Sequence, residues 1–181
     1  MTPQFGNIGR ALAHRNYRLF FAGQSISLIG SWITRVATSW LVYRLTGSAW
    51  TLGVVGFAGQ FPTFLLAPVA GVWVDRWNRH RLLVVTQVLA AIQSGVLAWL
   101  ALSGIITVGH VLALSVFQGV INAFDMPARQ SFIVDMIGSR EDLPNAIALN
   151  SSMFNGARLV GPSIAGILIA WVGEGWCFFI D

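Results

Sequence analysis

Lysine is absent, cysteine occurs once and acidic residues number only seven in the 181 residues of this chain. Charged residues make up 10% of it, where a soluble domain carries about 25%. That is too little charge to cover a water-exposed surface, and it comes in clumps. None falls between Arg44 and Asp75, or between Arg81 and Asp125. A soluble surface helix shows charge on its outer face every turn or two, so an ordinary soluble fold is excluded. The lone Cys177 excludes an internal disulfide and a cysteine-based metal site, and reads as a small apolar residue in a span. His14, His80 and His110 are too far apart for a metal motif. A G-x-S-x-G nucleophile motif and a phosphate-cradling glycine loop are both missing. An enzyme and an ATP-driven pump are therefore disfavoured, and no metal or cofactor is expected.

What is present is apolar sequence in long runs: 55% of the residues are hydrophobic. A bilayer-spanning helix needs roughly 20 mostly apolar residues. Five segments meet that length, at about 17–43, 51–74, 82–103, 106–124 and 143–172. A sixth begins at Trp176 and runs to Asp181, where so few residues of helix cover only about 9 Å. The expectation is an all-α membrane protein with five complete transmembrane helices and the start of a sixth, read as a fragment. Residues 1–16 form a polar N-terminal segment without a cleavable signal. The links at Thr46–Ser48, Ser103–Gly104 and Gly173–Gly175 are short, which makes neighbouring helices antiparallel. The stretch from Met126 to Asp142 has room for a separate amphipathic helix, Pro127–Ile137, with Phe132, Ile133, Met136 and Ile137 resting on the membrane surface.

A net charge of +4 carried on arginine alone invites a nucleic-acid reading. The distribution rejects it. Arg10, Arg15, Arg18, Arg76, Arg79, Arg81, Arg129 and Arg140 lie on one side of the predicted spans, and only Arg44 lies near the other. The positive-inside rule then puts the N-terminus in the cytoplasm. Trp50, Trp99 and Trp171 fall near span ends, as an interfacial aromatic belt requires. The predicted location is the bacterial inner membrane, multi-pass.

Three spans carry polar stripes at helical spacing: Gln24, Ser27, Ser31, Arg35 and Thr38 in the first; Ser115, Gln118, Asn122 and Asp125 in the fourth; Ser151, Asn155 and Arg158 in the fifth. Such stripes face other helices through hydrogen bonds, or line a shared aqueous path. Gln24, Ser31, Arg35, Thr38, Gln118, Asn122, Asn155 and Arg158 are the cavity or substrate candidates. Arg35 and Arg158 lie deep, where an unpaired charge costs several kcal/mol. They either meet a polar or anionic substrate or pair with a structural partner. Asp75, Asp125, Asp135, Glu141, Asp142 and Glu174 fall at span ends or in loops. No mid-depth carboxylate is therefore expected in the chain, and an acidic partner is expected outside it. Small residues at Ala157, Gly161 and Ala165, and at Gly53, Gly56 and Gly59, suit close helix packing.

The loop after the second span reads Gly71-Val-Trp-Val-Asp75-Arg76-Trp-Asn-Arg79-His80-Arg81. Its carboxylate and guanidinium groups suit a latch that pairs with a helix N-terminus or with acids on a neighbouring loop. Gly71, Asp75, Arg76, Arg79 and Arg81 resemble the signature loop between helices two and three of the major facilitator superfamily. Trp40 to Ser48 with Pro62, Phe124 to Gln130, and Asn150 with Asn155 to Gly166 are similar to its enterobactin-exporter-like branch. Gly161, Pro162 and Gly166 resemble the helix-five motif of drug–proton antiporters, departing from it where Ala165 precedes the last glycine.

The resemblance implies twelve helices in two halves, with this chain supplying most of the N-terminal six-helix half and helices one and four lining the cavity. It assigns Asp75, Arg76 and Arg79 to closing the cytoplasmic side against the absent C-terminal half. The function implied is a secondary active, proton-coupled exporter of a small amphipathic molecule, siderophore- or drug-like. The alternative is a non-transporting membrane sensor or assembly module with a transporter-derived fold. Expected partners are the lipid bilayer, a small-molecule substrate and the second transporter half, and not nucleic acid.

Overall fold

The computed structural model describes residues 10–137 and 141–181. A short 3-10 turn, Ala11–Ala13, leads into six helices: α1 (Arg15–Thr46), α2 (Ala49–Arg76), α3 (Arg79–Leu102), α4 (Val108–Met136), α5 (Leu143–Val172) and α6 (Glu174–Ile180). Arg140, counted above among the arginines of one side, lies outside the described residues.

Local chemistry sets the helix ends. Gly47 takes the left-handed conformation, φ 60°, that lets α1 end in a tight turn. Ser48 then caps α2, its hydroxyl accepting from Thr51 N at 3.3 Å. Asn78 caps α3 by accepting from Arg81 N at 3.0 Å. Thr107 and His110 cap α4 reciprocally, side chain to backbone in both directions. The α1–α2, α3–α4 and α5–α6 turns thus fall at one end of the bundle, the hairpin end. The α2–α3 turn and the α4–α5 connection fall at the other.

Chain neighbours run antiparallel, yet the most extensive contacts join α2 to α4 and α1 to α5, which run parallel. Both seams depend on small residues. A Cβ on Gly161 of α5 would collide with Trp32 of α1, and one on Gly119 of α4 would collide with the Gly59 carbonyl of α2. Backbones this close gain dispersion contacts that bulkier residues would forbid. Polar groups pin the register: Tyr17 Oη donates to Ala146 O at 3.0 Å, and Thr63 Oγ1 to Gly119 O at 2.8 Å. Ala157, Gly161 and Ala165 are all buried, as packing residues should be. Gly53 and Gly56, by contrast, face open space. The central core gathers Ile33, Ala37, Leu41, Leu97, Val111, Cys177 and Phe178.

The outer face is apolar. Trp50, Phe64 and Trp171 are 81%, 81% and 83% exposed, an arrangement suited to lipid and not to water. By length and composition α2, α3, α4 and α5 can each cross a membrane. α1 has the length, at 32 residues, but Gln24, Arg35 and its hydroxyl residues dilute its apolar character. The protein is an all-helical, multi-pass membrane protein.

Two expectations change. The predicted span 106–124 and the predicted surface helix after it are one helix, α4, which runs through Pro127 to Met136. Packing explains the continuation. Ala128 is buried beside Val74, Leu82 and Leu83. Ile133 and Ile137 are buried with Tyr17 and Ala146, so they serve the bundle and not the membrane surface. A proline inside a helix frees one carbonyl, which neighbouring helices can accommodate. As a result Asp125, placed at a span end above, sits within α4 and is 7% exposed.

Candidate transport cavity

A cavity of about 500 Å³ opens between α1, α2 and α4. Ser31, Arg35 and Thr38 of α1 and Gln118 and Asn122 of α4 line it, five of the eight sequence candidates. The amide of Gln118 donates to Asn122 Oδ1 at 3.1 Å, one turn along the same helix. Gly56 and Gly59 form part of the opposite wall, where the missing side chains leave room. Beside this cavity lies a polar pocket of about 120 Å³ among α1, α3, α4 and Asp181.

The other three candidates lie elsewhere. Gln24 is buried, and its amide nitrogen has no partner among the described residues. Asn155 is exposed and donates to Ser151 O of its own helix at 2.9 Å. Arg158 is off the cavity wall, but its guanidinium carbon lies 6.0 Å from the ring centroid of Trp32. Arg35 lies over the same indole at 4.8 Å. Two cations from different helices thus approach one indole ring, an attraction worth about 0.5–2 kcal/mol each. Trp32 also lines the cavity. Neither arginine has a carboxylate partner among the described residues.

The expected absence of interior carboxylates is corrected at two places. Asp125 Oδ1 accepts from Thr86 Oγ1 at 2.8 Å and from Gln87 Nε2 at 3.1 Å. Its Oδ2 pairs with Arg129, one turn along α4. Ser27 extends this network to α1 by donating to Gln87 at 3.3 Å. Asp181 reaches the middle of the bundle. Ser94 Oγ of α3 donates to its Oδ2 at 2.7 Å, and it packs on Gly30, midway along α1. A visible signal went unused: an acid closing the apolar run Cys177–Ile180, only a few residues past a tight turn, must lie within the bundle. Asp125 falls just past the predicted span 106–124, and the continuation of α4 through Met136 is what places it inside a helix.

At the end opposite the hairpins, one Arg79 nitrogen bridges both oxygens of Asp135 at 2.5 and 2.6 Å. A second stands 3.9 Å from Asp75. Arg76 and Arg81 are exposed, without a carboxylate partner among the described residues. A Cβ on Gly71 would meet no described residue within 4 Å, so packing among the described residues does not require that glycine.

Residues 10–181 match the family described as transmembrane secretion effectors. The chain belongs to this major facilitator family. Among curated relatives of this secretion-effector chain, the staphyloferrin A transporter of Staphylococcus aureus is 26% identical over 90% of the chain and 43% of its own length. The multidrug efflux pump Tap of Mycolicibacterium fortuitum is 32% identical over 80% of the chain and 36% of its own length. Macrolide efflux protein A of Streptococcus pyogenes is 27% identical over 86% of the chain and 39% of its own length. The chain therefore spans about two fifths of the length of these relatives. No solved structure matches it.

Proposed function

We propose that this secretion-effector chain forms five complete membrane spans and the beginning of a sixth, within the N-terminal half of a proton-coupled exporter of small amphipathic molecules. The observation that carries the reading is the cavity: a largely apolar space edged by a few polar side chains and by Arg35, inside a bundle whose outer face is apolar. A purely structural bundle would fill such a space, because close-packed interiors leave few voids larger than a water molecule. The relatives named for siderophore, multidrug and macrolide transport support a substrate of that size and character. Arg35 on the cavity wall, with Arg158 behind it against Trp32, serves as a cationic edge for a carboxylate or carbonyl oxygen, which a guanidinium fork binds through paired hydrogen bonds. A second half closes the cavity on its open side and meets Asp75, Arg76 and Arg79 at the cytoplasmic end. The N-terminus is cytoplasmic and the membrane is the bacterial inner membrane.

The test is accumulation of a radiolabelled macrolide and a labelled carboxylate siderophore in efflux-deficient bacteria producing the transporter that contains this chain. Lower accumulation of at least one probe, restored by collapsing the proton gradient, is expected. Equal accumulation with and without the protein, at verified membrane expression, overturns the reading. Topology is read separately by labelling Ser48→Cys in a Cys177→Ala background: reaction from outside the cell is expected, and reaction only from the cytoplasm contradicts it.

A further inference from the structure

The polar pocket of about 120 Å³ is lined by two carboxylates in opposite circumstances. Asp125 has donors on both oxygens, from Thr86, Gln87 and the Arg129 guanidinium. A proton arriving there would have to displace the ion pair and break the link between α3 and α4. Asp181 has only neutral hydroxyl neighbours: Ser94 donates to it at 2.7 Å, and Thr34 lies beside it. It makes no ion pair among the described residues. It also lines the larger cavity, so water and substrate reach it from the same space.

We propose that Asp181 carries the exchanged proton, an assignment that rests on the exporter reading above. The groups around it agree. From α1 the charged residue on the cavity is Arg35, engaged with Trp32. From α4 come Asp125 and Arg129, already paired to each other. α5 contributes Arg158, off the cavity wall, its guanidinium carbon 6.0 Å from the Trp32 ring centroid. α3 presents Ser94 and Gln93, its only titratable groups (Arg79, His80 and Arg81) lying at its start. Gly30 makes the placement possible, because a Cβ there would stand 2.5 Å from Asp181 Oδ1. With the cavity open outward, a hydronium ion gives its proton to an Asp181 oxygen, an O–H bond forms and water is left. With the cavity open inward, water takes the proton, the O–H bond breaks and the carboxylate charge returns to the space the substrate occupies. Proton and substrate are thereby read by one cavity.

The protein reconstituted in phosphatidylethanolamine–phosphatidylglycerol vesicles provides the test. Difference infrared spectroscopy across a pH series should show a carboxylic-acid C=O band that grows as pH falls. The band should be lost in Asp181→Asn and kept in Asp181→Glu and Asp125→Asn. Its persistence in Asp181→Asn, or its loss in Asp125→Asn alone, overturns the assignment. In the same vesicles, with pyranine inside and erythromycin as the macrolide probe, Asp181→Asn should lose gradient-driven movement of the probe while keeping downhill exchange. If the parent moves erythromycin with proton flux and Asp181→Asn does both equally, the Asp181 assignment fails while the exporter reading stands. If the parent moves no probe although its Asp181 band titrates, the exporter reading fails instead.

Discussion

The arginines near the ends of this bundle and those in its middle are satisfied differently. Near the ends, three guanidinium groups meet carboxylates, Arg79 with Asp135, Arg44 with Glu174 and Arg10 with Asp142, while Arg76 and Arg81 are exposed to the surroundings. In the middle, Arg35 and Arg158 both lie against the Trp32 ring and meet no acid among the described residues. An ion pair fixes a charge and cancels it. An indole supports a charge without cancelling it, which leaves the guanidinium donors for a third party. Arg129 shows the structural solution at an intermediate position: half-buried, and paired with Asp125, whose other oxygen accepts from Thr86 and Gln87. The same residue type thus does structural work where acids are supplied and keeps its charge available where they are withheld.

Unpairing a buried end of this comparison should have the largest effect. Asp125→Ala strands Arg129 without its carboxylate, and breaking a buried pair this way costs about 3–5 kcal/mol. Thermal unfolding followed by tryptophan fluorescence in detergent should show a strong drop, with Asp125→Asn milder because it can keep the Thr86 and Gln87 contacts. Next comes Gly161→Val, which pushes the indole away from both middle arginines. Overpacking of this kind costs about 1–3 kcal/mol, and the same melts together with loss of transport would register it. Arg79→Gln should be smallest in stability. Its partner Asp135 is half exposed, and pairs of that kind contribute about 0.2–1 kcal/mol. A large destabilisation by Arg79→Gln would mean that the end pairs are as structural as the Asp125 network, and the comparison would lose its gradation.

Much of this arrangement was legible in the sequence because the membrane imposes strong rules. Charge-free runs gave the helices, and the polar spacing on α1 and α4 gave five cavity residues, since both signals are local and periodic. What failed was depth along a helix. The fourth span is expected to end near Phe124, yet the packing of Ala128 and Ile133 carries α4 onward and buries Asp125. Asp181 was overlooked because its depth depends on where α6 leans, against α3 and α1, and no local spacing encodes that. Asn155 had the right period and the wrong neighbour, its amide turned back to Ser151. Trp32 was not singled out, since nothing in a single helix reveals that arginines from two helices converge on one ring.

The most direct measurement compares transport by Arg158→Leu, Arg158→Lys and the parent at matched membrane expression, using erythromycin and a labelled carboxylate siderophore as probes. Leucine favours the membrane, so the variant should insert and accumulate like the parent while transport is lost. Lysine keeps the charge but not the paired donors, so transport should be weakened and not abolished. Parental transport by Arg158→Leu would contradict the claim that the middle arginines are kept free for substrate.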